Sequence, residues 1–567
     1  MPAIQATLEV FLYLLGGVGY ALYDDLNLVE TVLVIAAIVA ARRWKRASLV
    51  TDRAMRFGMR LAGKPHAAVA SVFVAALAVR AAFLPLLPIP HPAITDEFSH
   101  LLVADTLAHG RLTNPTHPEW VHFESIHIIQ QPTYNSDYFP GQGAVLAIGE
   151  RLGNPWIAMW VLSAAMCAAL TWMLAGWLPP AWALFGGLIA ILRFDIASYW
   201  VNGYYGGCLA ALGGALALGA YRRLLRGGKL GTSLLFGLGI VIVGFTRPFE
   251  GLAVAGPATV ALAFAIWKRR ARFWVAIPAA VAIVAGFACL LVYNRAVTGD
   301  PLRPPYAVNQ ATYGWPMTLP WFHPPRVKFR HVELERYYNY ELDVHERMNG
   351  VLKRVRTAEE LWRFYFGPAL SVPLIVLPFV WKQRRLRLLM AGAGLTILAA
   401  LIEVGASPHY EACATGCFLA IVVACFRRLC ARAYGARYAL FAPLILLTII
   451  VLRVGLEKAG LPFTQPANYQ SWCCMEPQSS EKARVSATLD DTPGKHLVLV
   501  KPKMNPDNVF QWIYNDADID ASKIVWARDM GVEGNASLLG YFHDRVLWEL
   551  DPNVSPPRLT RLSRNIG

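Results

Sequence analysis

The sequence predicts an all-α polytopic membrane protein of about thirteen transmembrane helices, carrying a small α/β extracytoplasmic domain at its C-terminus. Three observations predict this. Of 567 residues, 56% are hydrophobic and only 16% charged, whereas an ordinary soluble chain is about 25% charged. Apolar runs near the ~20 residues needed to cross a bilayer recur along most of the length. After the last of them the character changes: "KHLVLVKP", "VFQWIYN", "KIVWARD" and "DRVLWEL" are short β-like runs separated by polar turns.

The spans fall at approximately 8–23, 29–41, 67–88, 156–178, 181–192, 205–220, 232–246, 251–267, 273–293, 367–381, 388–404, 412–428 and 437–453. The net charge of +15 could point to nucleic acid, so its placement decides the matter. Segments 41–64, 221–229, 268–272, 382–387 and 427–437 hold 24 basic residues and the single acid Asp52. This is the positive-inside pattern, which orients helices and binds no nucleic acid. With a cytoplasmic N-terminus all five basic segments lie inside, while 24–27, 89–155, 193–204, 247–250, 294–366 and 407–411 lie outside, together with the C-terminus. The domain reading is therefore 1–66 for two N-terminal helices and a basic cytoplasmic loop, 67–453 for a transmembrane core with long outer loops 89–155 and 294–366, and 454–567 for the soluble extracytoplasmic domain. In a bacterium this is an inner-membrane protein with a periplasmic face.

The chemistry concentrates outside. "ITDEFSHLLVADTLAHGRLTNP" (94–115) opens the first outer loop with Asp96 and Glu97. Thr95 is the expected N-cap. Phe98, Leu101 and Leu102 share one face, so the segment reads as a short interfacial helix. Two acids in a first turn are explained by the helix dipole alone. A carboxylate beside lipid, however, is costly unless paired or used. The outer segments also carry isolated cations, among them Arg193, Arg247 and Arg303, for which a phosphate is a natural partner. "SPHYE" adds His409 and Tyr410 at another outer helix start. Tyr138 and Tyr313 in the long loops, with Asn202, Tyr204 and Tyr205 beyond residue 200, are the candidate sugar- or acceptor-binding residues. Together they outline a glycosyl-transfer site in which an acid deprotonates an acceptor hydroxyl and cations stabilise a departing lipid phosphate.

The acidic pair in "DEFSHLLVADTLAHGRL", the Pro-containing entry "YFPGQGAVLAIGERLGNPWIAMWVLSA" and the late "SPHYEACATGCFLAIVVA" resemble the GT-C membrane glycosyltransferases, in particular the protein mannosyltransferase and aminoarabinose transferase group, over roughly residues 67–453. The resemblance implies a GT-C-like fold, a polyprenyl-phosphate-linked sugar donor and an inverting displacement, with a lipid, glycan or protein as acceptor. It implies Asp96 as base, Glu97 as an orienting residue or the holder of a divalent metal, and Tyr410 with His409 at the phosphate. The group's tandem prolines shrink here to "FPG", and its first-loop lysine has no counterpart, so Arg247 is the first choice of phosphate-binding cation, ahead of Arg193 and Arg303.

Other patterns carry less. Six histidines lie in the first outer loop, without metal-ligand spacing, and are read as interfacial. "NDADIDAS" fails as an EF-hand because its sixth and twelfth positions are Ala521 and Ala527; it is read as a polar turn. The small residues of 201–219 imply close helix packing. No phosphate-binding nucleotide loop occurs. The rival readings are a multi-span transporter or lipid flippase, and a non-catalytic membrane scaffold.

Overall fold

The computed structural model describes residues 25–43, 47–268, 272–315, 319–347, 350–431, 433–459, 471–473, 481–502 and 512–563. Among them, seven helices are long and apolar enough to cross a membrane, or up to eight if a bent pair is counted as one span. Pro65–Ala82, Pro155–Trp177, Pro248–Trp267, Phe273–Thr298, Arg384–Ile402, Tyr410–Leu429 and Gly435–Leu456 are the seven. Their burial is graded. Only 11% of the Phe273–Thr298 window is buried against 83% of Tyr410–Leu429, so the first is peripheral and the second central. Val281, Val284 and Phe287 are correspondingly exposed on the outer helix, a surface that suits lipid and not water. The chain is an integral membrane protein.

Each expected span from 29–41 onward falls on helical structure, but the helices at 29–41, 181–192, 205–220 and 232–246 are not among those long and apolar enough to cross, so among the described residues seven or eight spans stand where thirteen were expected; 8–23 lies outside the described residues. The run at 367–381 is not continuous. Helices Lys353–Tyr365 and Gly367–Trp381 meet at 90°. Gly367 adopts φ +57°, where a Cβ would approach the guanidinium of Arg193 within 2.9 Å, and Pro368, Pro373 and Pro378 each remove a backbone donor. Helix Pro180–Ala190 runs into a π-helical turn, Ile191–Asp195, which brings Arg193 and Asp195 into the interior. The small residues near 213–217 pack as closely as the sequence implies: a Cβ on Gly214 would lie 2.0 Å from the carbonyl of Cys413.

The two long loops are structured. Loop 89–155 contains helix Thr95–Ala108, an antiparallel sheet of order β1-β3-β2 (β1 Asn114–Pro115, β2 Ile128–Ile129, β3 Thr133–Ser136) and helix Gly141–Arg151. Loop 294–366 contains helices Pro305–Tyr313, Val332–Arg347 and Val351–Tyr365. In the tail, β4 (His496–Val500) lies between parallel β5 (Ile524–Arg528) and β6 (Val546–Asp551), and antiparallel β7 (Arg558–Arg561) closes the edge. Three expected strand runs thus pair. "VFQWIYN" does not: its described part, 512–515, forms no strand and buries Trp512, Ile513 and Tyr514. The acidic stretch 515–522 is a turn closed on itself, with the Ser522 hydroxyl donating to Asp516 and the Ala521 amide to Asp518.

The tail is seated on loop 89–155. Leu102, Phe123, Ile128 and Tyr134 share a core with Leu497, Leu499, Tyr514, Val525 and Leu538. The Ala517 amide donates to Asp105 at 2.6 Å, and Tyr134 donates to the Asn515 carbonyl at 2.9 Å. Helix Thr95–Ala108 is therefore sandwiched between membrane core and tail, and does not lie open along the interface as its sequence implies.

Candidate active site

The two adjacent acids point in opposite directions and do different work. Ile94, not Thr95, is the extended N-cap residue, because Glu97 folds back to cap the turn. One Glu97 carboxylate oxygen accepts from the amides of Ala93 (2.8 Å) and Ile94 (3.2 Å), and the other from the amide of Tyr204 (3.0 Å). The side chain is 1% exposed. Burial raises its pKa to about 7, against the pull of those three amides. Glu97 thus ties the helix start to the connection after residue 200. Among the described residues no group of three or more His, Cys, Asp or Glu has metal-binding geometry.

Asp96 is half-buried and faces inward. Tyr138 donates to its Oδ1 at 2.5 Å. The Tyr138 ring stacks on His100 (centroids 4.6 Å) and lies 5.1 Å from His127 and 5.5 Å, edge-on, from Tyr306. His127 has φ 60°, a costly conformation for a residue with a Cβ. It is held there by the Ser99 hydroxyl and the Asp137 amide, which both donate to its carbonyl. Its Nδ1 is 3.3 Å from Asp137. Burial alone would lower the His127 pKa, but Asp137 and then Asp96 raise it. Burial alone would raise Asp96, but His127 and the Tyr138 hydroxyl bring it below the ordinary carboxylate range. His100 is lowered by burial to about 3 and His409 well below its usual value. Of the three histidines near Asp96, His127 is the one shifted toward its protonated form.

Beyond Tyr138 lies a cavity lined by His100, Tyr138, Gln142, Tyr205, Arg247 and His409. Arg247, at the start of helix Pro248–Trp267, lays its guanidinium 3.9 Å above the Tyr410 ring, a planar stacking that Lys does not reproduce. His409 contacts the Tyr199 hydroxyl through Nδ1 at 3.1 Å. The Nε2 of His409 and the Nδ1 of His100 are buried and without a hydrogen-bond partner among the described residues. Beside a guanidinium, two such nitrogens suit an oxyanion that completes their hydrogen bonding. The amide of Gly141 donates to the Phe245 carbonyl, which fixes the first loop against the Arg247 turn.

The structure brings together Asp96, Tyr138, Tyr205, Arg247, His409 and Tyr410. It places the other candidates elsewhere. Arg193 is fully buried over Trp472 (3.9 Å), 4.0 Å from Glu30, and donates to the carbonyls of Phe364 and Arg363. Arg303 is exposed and does not line the cavity. Asn202 accepts from Arg80, Tyr204 donates to the Pro90 carbonyl, and Tyr313 donates to Glu124; none of the three lines the cavity. His100, His127, Asp137, Gln142 and Tyr306 belong to the site although the sequence reading did not select them. The histidine density of the first loop was the available signal: His100, His117, His122 and His127 are buried, not interfacial.

No protein-family model matches the sequence, and no curated protein matches it. Among solved structures, the chain is similar to ArnT from Cupriavidus metallidurans bound to undecaprenyl phosphate, with TM-score 0.48, 14% identity, and coverage of 85% of this chain and 92% of that one. The apo form of the same protein gives TM-score 0.47 and 12% identity over the same shares. The oligosaccharyltransferase of Archaeoglobus fulgidus gives TM-score 0.45 and 11% identity over 85% of this chain and 67% of that one. Both of these proteins are GT-C glycosyltransferases, the group that the acidic pair and the late tyrosine resemble; the likeness is one of chain path at low identity.

Proposed function

We propose that the chain is an inverting membrane glycosyltransferase that moves a sugar from a polyprenyl-phosphate donor to an acceptor on the outer face, with Asp96 as general base. One observation carries the reading: Asp96 is kept ionised by His127 and Tyr138, and Tyr138 also walls a cavity holding Arg247 and two unpartnered histidine nitrogens.

In this reading the acceptor hydroxyl gives its proton to Asp96 as its oxygen bonds to the anomeric carbon. The bond from that carbon to the donor phosphate breaks, and the electron pair leaves with the phosphate. Arg247, spread over Tyr410, meets the growing negative charge. If Tyr199 donates to Nδ1 of His409, Nε2 carries the ring proton and points it at the same oxyanion. Glu97 positions Asp96 by fixing the first turn of its helix.

The sidedness has support of its own. Residues of the connections 89–155, 193–204, 247–250, 294–366 and 407–411 meet around one site, through Asp96, Tyr199, Arg247, Tyr306 and His409. Those are the connections that the positive-inside pattern assigns to the outer face. A thirteen-span topology with a cytoplasmic N-terminus, an extracytoplasmic tail and, in a bacterium, an inner-membrane location follows from the same reading.

The experiment is to incubate purified protein with a panel of radiolabelled polyprenyl-phosphate sugars and membrane extract, alongside Asp96→Asn. Label passing to a lipid, glycan or protein fraction with wild type and not with the variant supports the reading. No transfer from any donor would sink it.

A further inference from the structure

A single lysine of the C-terminal domain is enclosed by aromatic rings at the joint between that domain and the helix bearing Asp96. Lys482, in helix Glu481–Asp490, points its Nζ at Phe98 (4.7 Å), Trp526 (5.0 Å) and Tyr514 (5.7 Å). Its hydrogen bonds go to the carbonyls of Trp512 (2.9 Å) and Tyr514 (3.0 Å). Burial pushes its pKa down to about 7, with Asp516 acting in the opposite direction. The ring faces and carbonyl dipoles offset part of that burial cost. One of the three rings, Phe98, belongs to the first outer loop and lies two residues after Asp96.

Tyr514 makes the second half of the joint. Its ring stacks on Phe98 at 4.6 Å and 11°, and its hydroxyl donates to the Ile126 carbonyl at 3.1 Å. Ile126 immediately precedes His127, the residue held at positive φ beside Asp96. The tail therefore touches, through Tyr514, both the helix that bears Asp96 and the segment that bears His127. We infer that Lys482, acting through Phe98 and Tyr514, is a positioning residue for transfer, so that the site is complete only with the tail seated. This inference rests on the reading of Asp96 as the base.

The mechanism is geometric. Lys482 and Tyr514 clamp the first turn of helix Thr95–Ala108 from the side opposite the membrane core. Arg247, His409 and Tyr410 are held by contacts of their own, to one another and to Tyr199, so releasing the clamp leaves them in place. Loss of the clamp then lowers turnover and spares donor binding. Small misplacements at a reacting centre are expensive, up to about a hundredfold in rate for ~1 Å.

The test compares full-length wild type, Lys482→Met, Lys482→Arg and Tyr514→Phe by hydrogen–deuterium exchange and by donor-dependent transfer kinetics. Lys482→Met is expected to speed exchange across Thr95–Ala108 and to lower kcat by about tenfold or more at unchanged donor KM. Lys482→Arg, which keeps a cation among the rings, is expected to rescue both. Tyr514→Phe keeps the ring on Phe98 and deletes only the bond to Ile126, so exchange rises around 126–127; it carries the test if Lys482→Met unfolds β4 to β6. Unchanged exchange in both segments overturns the inference, as does a donor KM that rises while kcat holds. If wild type transfers nothing, the transferase reading falls by itself, and exchange still decides whether Lys482 governs the Asp96 helix.

Discussion

The hydroxyl of Tyr138 donates to Oδ1 of Asp96 at 2.5 Å, and the other face of that tyrosine closes the cavity that holds Arg247. One side chain thus separates, and connects, the proposed base and the proposed phosphate site. Asp96→Asn keeps the shape and the acceptor oxygen while removing proton affinity. Transfer should fall by about 10²- to 10⁴-fold, the usual share of general-base catalysis, with thermal stability close to wild type.

The charge on Asp96 depends on His127. Asp96 lies below its ordinary 3.8 because His127 and Tyr138 outweigh burial. The base form is therefore present above that lowered value, and the acid limb of kcat/KM sits below the ordinary carboxylate range. In His127→Gln the cation is gone and burial dominates. The limb should move to higher pH, and Tyr138→Phe should shift it in the same direction by a smaller amount, as seen in pH–rate profiles.

Arg247 is held flat by Tyr410. Arg247→Lys preserves the charge but loses the stacking and the two-pronged donor geometry. Donor KM should rise about tenfold or more, the equivalent of ~1.4 kcal/mol of lost binding, and Tyr410→Leu should have a similar effect by freeing the guanidinium. Titration of the protein with a polyprenyl phosphate checks both.

Glu97 should behave as a structural acid. Glu97→Ala strands the amides of Ala93, Ile94 and Tyr204, at about 1–3 kcal/mol for each buried group left unsatisfied. Because its folded pKa, about 7, exceeds the ordinary 4.5, the folded protein binds this proton more tightly. Its contribution is then full below about 4.5 and lost as pH rises through about 7. Glu97→Gln should flatten that part of the stability–pH curve, measured by thermal unfolding in detergent.

Arg193 should report on folding and not on donor binding. It is wholly buried beside Glu30 and over Trp472. Arg193→Met leaves Glu30 buried without its cation, a change that costs about 3–5 kcal/mol where it has been measured. The expected result is a sharply lowered unfolding temperature with unchanged donor KM in whatever fraction folds.

Local signals made the helices legible. Apolar length located the helices but overcounted those able to cross a membrane, and the acidic pair marked the helix that carries Asp96 and Glu97. Gly367 with its three following prolines, by contrast, broke a span that hydropathy alone read as continuous. Histidines that look interfacial in sequence are buried because the tail covers the loop, a contact between residues roughly 400 positions apart, as in His117 with Asp520. No local pattern announces such a pairing. Among the arginines, position at a span end put Arg247 ahead of Arg193 and Arg303, and packing separates the three as a cavity-lining cation, an interior ion pair and an exposed side chain.

The most direct measurement is the single-turnover rate of sugar transfer for wild type and Asp96→Asn, each with its lipid-phosphate donor site filled. The account predicts a rate lower by at least about a hundredfold in the variant, at equal donor occupancy. A variant that transfers at the wild-type rate would remove Asp96 from the chemistry and contradict the account.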